Sequence, residues 1–378
     1  MTGLDGRRVY LDWNATAPLR PEARAAMLEA MDAVGNPSSV HTEGRAARAI
    51  VERARAQLAD LLWRAPSEIV FTSGATEGAA AVIRSGWPRV MCAETEHDCI
   101  YEPARRTDTY TALSVDADGL VDVEGLEAGG VDDGDLICVQ SANSETGVEQ
   151  RVAAVGMLRL DHGCAVLSDM TQSVGKIEGC DLEQPPGADF TLCSAHKLGG
   201  PKGVGATVIR AGADFEAEMP GGGQETGRRS GTENVVGIAG FGAAAEAAQR
   251  DLEDGVWDRV AALRNILEAR LEAVAPDLIF VGREAERLPN TTCIALPGWK
   301  GETQVMQLDL AGFAVSAGSA CSSGKVKESR VLRAMGFDAV TASSAIRVSL
   351  GPTTTEAEIT AFAEAWTTLY RKRTSRAA

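Results

Sequence analysis

The sequence predicts an α/β fold, with a mostly parallel sheet flanked by helices and then a smaller α/β unit. Three observations carry this reading. Short apolar runs rich in Val and Ile alternate with helical stretches between residues 69 and 210. These runs lack a polar face, as strands buried on both sides require. The 378 residues are 44% hydrophobic and 24% charged. That composition supplies a core and excludes a disordered or collagen-like chain. At roughly 150 residues per domain the length suits two or three domains, or one large unit with an appendage.

Residues 21–34 read as a helix, with Pro21 at a first-turn position and Ala23, Met27, Ala30, Met31 and Val34 on one stripe. Residues 42–62 repeat the pattern through Ile50, Val51, Ala54, Leu58, Leu61 and Leu62. Strands are expected at 69–72, 89–93, 136–140, 165–169, 189–193 and 206–210, and their alternation with helices implies parallel pairing. An Ala-rich helix over 232–250 closes this part. A second block opens with a helix over 256–275, followed by strands at 278–282, 291–296, 313–318 and 345–350 and a last helix from 355. The expected division is a large domain over 15–250 and a small one over 251–378 that takes in residues 1–14.

The net charge of −16 repels phosphate backbones and anionic bilayers, so neither nucleic acid nor membrane is an expected partner. No apolar stretch is long enough to span a bilayer, and the N-terminus lacks a signal-like apolar core. The eight cysteines form no CxxC pair, and four histidines offer few partners for zinc. No metal site is expected. Most of the cysteines sit in apolar runs, as small buried hydrophobes of a reducing, cytoplasmic compartment.

Five segments concentrate chemistry. Phe71-Thr72-Ser73-Gly74-Ala75-Thr76-Glu77 runs from a strand into a helix; the free N–H groups there suit a phosphate, although a plain capped helix reads the same way. Asp169 ends an expected central strand, where it fits either a helix N-cap or the acid that pairs with a pyridinium nitrogen. His196-Lys197 follows the next strand and enters a Gly-rich loop, a place where a desolvated Lys becomes a Schiff-base nucleophile and a surface Lys is the plainer alternative. Cys321 lies among small residues in Ser319-Ala320-Cys321-Ser322-Ser323-Gly324, a setting for a reachable thiol. Arg347 sits inside an apolar strand and demands an anion, either a substrate carboxylate or a structural ion-pair partner.

In this order the motifs resemble the cysteine desulfurases of the NifS/IscS type, which are class-V, fold-type-I enzymes dependent on pyridoxal phosphate (PLP). The matching segments are YLDWNATAP at 10–18, GNPSS at 35–39, FTSGATE at 71–77, TEHDC at 95–99, ETGVEQ at 145–150, SDMTQSVGK at 168–176, SAHKLGGPKGVG at 194–205, GGGQETGRRSGTEN at 221–234, SAGSACSSG at 316–324 and IRVSLG at 346–351. The resemblance implies that Lys197 holds the cofactor covalently and that His97 stacks on its ring and serves in proton transfer. Asp169 would hold the ring nitrogen and Gln172 the phenolic oxygen. Ala75, Thr76, Ser194 and His196 would contact the phosphate. Thr232 would complete the phosphate site of a neighbouring subunit, which implies a homodimer. Asn143 and Arg347 would face the substrate carboxylate, and Cys321 would be the persulfide-forming nucleophile.

Two departures stand out. Ser144 occupies a cofactor-contacting position where the family usually carries a second Asn, and the stretch before His97 is short. The implied reaction converts L-cysteine to L-alanine and passes sulfane sulfur to Cys321, then to an acceptor protein, with an iron–sulfur scaffold as one candidate. Rival readings are a selenocysteine lyase on the same scaffold or another class-V PLP enzyme.

Overall fold

A computed structural model describes residue 4 and residues 6–177, 187–318 and 328–377. The chain opens with β1 (Val9–Tyr10), followed by α1 (Pro21–Met31) and α2 (Thr42–Leu62). Helix α1 stops at Met31 and not at Val34, because Val34 is 83% exposed and finds nothing to pack against. Helix α2 has the expected limits. His41 caps its start by accepting from Gly44 N, and Trp63 ends it in the left-handed region at φ 52°.

Next come β2 (Ile69–Thr72), α3 (Ala75–Ile83), β3 (Val90–Ala93), α4 (Asp98–Ala104), β4 (Tyr110–Leu113), α5 (Val123–Ala128), β5 (Leu136–Gln140), α6 (Val152–His162), β6 (Ala165–Asp169), β7 (Phe190–Ser194) and β8 (Gly205–Ile209). The strands form one sheet in the order β2-β8-β7-β6-β5-β3-β4. It is mostly parallel, as expected; only β8 runs against its neighbours, β2 and β7. Strand β4 was not anticipated: it is a half-buried edge strand, so its sequence lacks the apolar run of the central strands. One consequence governs the site. The carboxyl ends of β2, β3, β5, β6 and β7 all lie on one edge of the sheet, where open α/β sheets bind ligands.

Helix α7 (Val235–Glu253) closes over α1 and α2. It starts at Val235, not at 232, because Asn234 is its N-cap and accepts from Gly237 N. Its small residues permit close approach: a Cβ on Gly242 would lie 2.5 Å from Ala54 Cα. After α8 (Val256–Glu272) come β9 (Ile279–Phe280), β10 (Thr291–Ala295), α9 (Gly301–Leu310), β11 (Phe313–Ala314), β12 (Ser316–Ala317), α10 (Arg330–Ala334), α11 (Ala339–Ala342), β13 (Ala345–Ser349) and α12 (Glu356–Ala377). The second sheet, β12-β13-β10-β9, is antiparallel throughout. The expected single strand over 313–318 is two strands. Phe313–Ala314 pairs in parallel with Val9–Tyr10, and Ser316–Ala317 turns to Arg347 and Ile346. Val9 and Leu11 are buried in the same apolar cluster as Leu267, Phe313, Ile346, Phe362 and Trp366.

Candidate active site

The sheet's carboxyl edge collects the expected residues. Gly74 opens α3 without any side-chain cap. A Cβ at Gly74 would meet nothing nearer than Ser194 Oγ at 3.8 Å, while one on Gly205 would strike Gly74 Cα at 2.6 Å. The helix start is therefore pressed against the sheet on one side and open on the other, with Thr76 exposed beside it. Ser194 ends β7 and accepts from Ala75 N at 3.0 Å, which ties together two of the anion-site residues. His196 lies 3.1 Å from Thr16 Oγ1. Burial holds its imidazole down to about 4, and the charges of Lys197 and Lys202 add to this, so the ring is neutral.

Asp169 is buried at the end of β6, where its Oδ1 accepts from Thr171 N at 2.9 Å. Lys197 follows β7 and donates through Nζ to Asn14 O at 2.5 Å and Ala15 O at 3.0 Å. Gln172 Nε2 donates to the same Asn14 O at 3.0 Å. Two of the residues singled out from sequence thus converge on one backbone carbonyl. That carbonyl belongs to a segment to which the sequence reading assigned no role. Asn14 also donates to Thr291 Oγ1 at 2.9 Å and accepts from Asn290 Nδ2 at 3.0 Å, so it links both sheets. Asp12, Asn14 and Thr16 all work inside the site. Their segment, YLDWNATAP at 10–18, matched the family pattern, but no role was drawn from it for these three residues.

Arg347, in the middle of β13, is 5% exposed. Its Nη2 donates to Asp12 Oδ1 at 2.8 Å and its Nη1 to Ser144 O at 2.7 Å, whereas Nε is buried with no partner among the described residues. The ion-pair partner that the sequence left open is Asp12. Ser144 takes part through its backbone carbonyl. Asn143 is a brace: Nδ2 donates to Thr95 O at 3.0 Å, and Oδ1 accepts from Glu145 N and Thr146 N at 2.8 and 2.9 Å. Glu145 accepts from Ser329 Oγ at 2.6 Å. Burial pushes its carboxyl up to about 7.

His97 caps α4 and accepts from Cys99 N through Nδ1 at 3.1 Å. Thr232 is exposed and lines a cavity of about 130 Å³ together with Thr72, Ser73 and Gly203. Cys92, Cys99, Cys138, Cys164, Cys193 and Cys293 are buried and unbridged. Burial raises every one of these thiols, Cys164 to about 11 and Cys193 and Cys293 to about 12. They are poor nucleophiles. Cys321 and its neighbours Lys325 and Lys327 lie outside the described residues, as does Cys180.

The description "Aminotransferase class-V" fits residues 9–362 of the sequence. The chain belongs to this family. Similar class-V proteins include cysteine desulfurase 2 of Trichormus variabilis, 40% identical over 362 residues that cover 93% of this chain and 90% of that one. The cysteine desulfurase IscS of Dictyoglomus turgidum is 35% identical and covers 93% and 92%. The NifS-like protein of Rickettsia africae superposes at a TM-score of 0.89 with 33% identity, over 97% of this chain and all of the other. This class-V enzyme uses PLP, and its residues fit the group. An uncapped helix start offers N–H donors to the phosphate, a buried carboxylate stands at a strand end for the ring nitrogen, and a lysine amine reaches the same edge. Among the described residues no cluster suited to a metal ion is present, and no helix is long and apolar enough to cross a membrane.

Proposed function

We infer that this cysteine desulfurase transfers the sulfur of L-cysteine to the thiol of Cys321, leaving L-alanine and a persulfide for an acceptor protein. The observation that carries the reading is the convergence of Lys197 and Gln172 on Asn14 O, beside the strand that ends in Asp169. Bound PLP supplies an electron sink for charge that develops at the substrate Cα. Asp169 would keep the ring nitrogen protonated, Gln172 would orient the ring's oxygen, and Ala75, Thr76, Ser194 and neutral His196 would seat the phosphate. Ser144, whose carbonyl accepts from Arg347, would contact the cofactor from its loop. Lys197 Nζ would hold the cofactor and, once the substrate amine has displaced it, would take the Cα proton, and His97 would serve beside the ring and move protons at the substrate. Arg347, paired with Asp12, would receive the substrate carboxylate; Asn143, which would face the same carboxylate, braces the loop that carries Ser144. Cys321 thiolate then attacks the substrate sulfur. A sulfur–sulfur bond forms as the carbon–sulfur bond breaks, its electron pair staying on Cβ; Cβ takes a proton, and the proton removed from Cα is returned there to give alanine.

The same reading makes residues 15–250 the cofactor-binding domain and residues 251–378, with 1–14, the domain that carries Cys321. The burial of Val9 and Leu11 among residues of α8, β13 and α12 supports that division. It also places the enzyme in the cytoplasm as a homodimer, with Thr232 reaching the neighbour's phosphate and an iron–sulfur scaffold as one acceptor.

The test is Cys321→Ser, with Cys180→Ser alongside. Cys321→Ser should still show cofactor absorption changes on adding cysteine, yet form no persulfide and almost no sulfide, while Cys180→Ser keeps full output. Full sulfide and alanine production by Cys321→Ser would hand the reaction to a lyase mechanism that needs no thiol.

A further inference from the structure

Arg330 is the first residue of α10 and follows the Cys321 segment closely in sequence. Its guanidinium leaves its own unit and grips the loop between β3 and α4. Nη1 donates to Glu94 O, and Nη2 donates to Glu96 O at 2.9 Å and to Asp98 Oδ1 at 2.7 Å. The guanidinium carbon also lies 3.9 Å above the Tyr101 ring, a cation–π contact one turn into α4. The gripped groups flank His97 on both sides. The neighbouring Ser329 donates to Glu145 at 2.6 Å while it caps α10 through Leu332 N. Two consecutive residues therefore bind the start of α10 to two loops at the cofactor edge, one carrying His97 and the other carrying Asn143 and Ser144.

A planar fork suits this task. It meets several oxygens in fixed directions, whereas an ammonium is a point charge on a flexible stem. A half-buried charge (28% of the side chain exposed) committed to two carbonyls, a carboxylate and a ring costs ordering, which a purely decorative surface ion pair would not repay. Two of the contacts fall on backbone carbonyls just before His97 and two on side chains just after it, so the guanidinium spans the chain on both sides of that ring.

We propose that Arg330 is a positioning residue: it ties the loop of His97 to the start of α10 and so holds the His97 ring in its place at the cofactor edge. This rests on the role given above to His97.

The test compares Arg330→Ala, Arg330→Lys, Asp98→Asn, His97→Ala and the double variant His97→Ala/Arg330→Ala, all as PLP-loaded enzyme. Arg330→Ala should lower kcat about 10-fold or more with KM changed far less, since misplacing a reacting group by about 1 Å costs up to about 100-fold. Its cofactor absorption band should move in the same direction as in His97→Ala. The double variant should lose little beyond His97→Ala alone, as residues acting through one another are not additive. Arg330→Lys should stay nearer to Arg330→Ala than to the parent. Asp98→Asn leaves an acceptor but removes the charge from one part-buried contact and should show a smaller shift of the same band, which keeps the test open if Arg330→Ala folds poorly. Additive losses, or an unmoved band in both Arg330→Ala and Asp98→Asn, would overturn the proposal. If His97→Ala itself leaves band and turnover unchanged, the role of His97 fails instead, and that result is separate from the additivity of Arg330.

Discussion

At the scale of single residues, Arg347 and His196 show how burial sets chemistry. Arg347 balances its charge against Asp12, and its Nε is buried without a partner among the described residues. Arg347→Ala should weaken cysteine binding by about 2–4 kcal/mol, the penalty typical of losing one partner of a buried charged pair, while PLP binding changes little. Titrating cysteine against the cofactor band measures it; a drop in unfolding stability with unchanged cysteine affinity would leave Arg347 with the structural role alone. His196 carries a pH signature. Its native value is held at about 4, below the ordinary 6.5, first by burial and then by two lysines. Above 6.5 both native and unfolded forms are neutral and the fold keeps its full stability. As pH falls from 6.5 towards 4 the unfolded chain gains a proton that the native chain refuses, so stability declines and then levels. In urea titrations across this range His196→Asn should flatten that part of the profile relative to the parent.

At the scale of elements, the junction of α3 with the sheet decides the anion site. Gly78 lies one turn into α3, where a Cβ would come 2.1 Å from Thr207 Oγ1 and 2.9 Å from Leu192 Cδ2. These are β8 and β7 side chains in the core, and neither can move far. Gly78→Ala should therefore lift the start of α3 from the sheet, cost about 1–3 kcal/mol of stability as an overpacked site, and weaken PLP retention on dialysis. Retained PLP with a lower melting temperature would separate packing from phosphate binding. Element limits teach the same lesson. The strands at 69–72, 136–140 and 165–169 and the helix at 42–62 were legible because their apolar patterns are long or two-sided. Strand β4 was not, since an edge strand carries half a pattern, and the run at 313–318 hid a change of sheet at Val315 that no periodicity records.

At the scale of the whole molecule, the proposed homodimer makes a prediction of its own. Thr232 is exposed beside a small cavity on the cofactor half of the chain, consistent with a role completed across an interface. If Thr232 serves the neighbour's phosphate, mixing inactive Lys197→Ala with weak Thr232→Ala subunits should restore activity. Each mixed dimer would then contain one site with both residues intact. Activity no higher than the Thr232→Ala homodimer, after exchange is verified by mass, would place Thr232 in its own chain's site. The sequence alone determined the alternating α/β order, the strand-end positions of Asp169 and Lys197 and the strand-to-helix turn near Thr76, because these follow from local periodicity and neighbouring residue types. Only the tertiary structure decided that Asp12 neutralises Arg347, that Asn14 gathers Lys197 and Gln172, and that Arg330 reaches the loop of His97. Those contacts join residues more than 150 positions apart. Their partners are chosen by how two sheets pack, and packing of that kind leaves no mark on the spacing of residues along the chain.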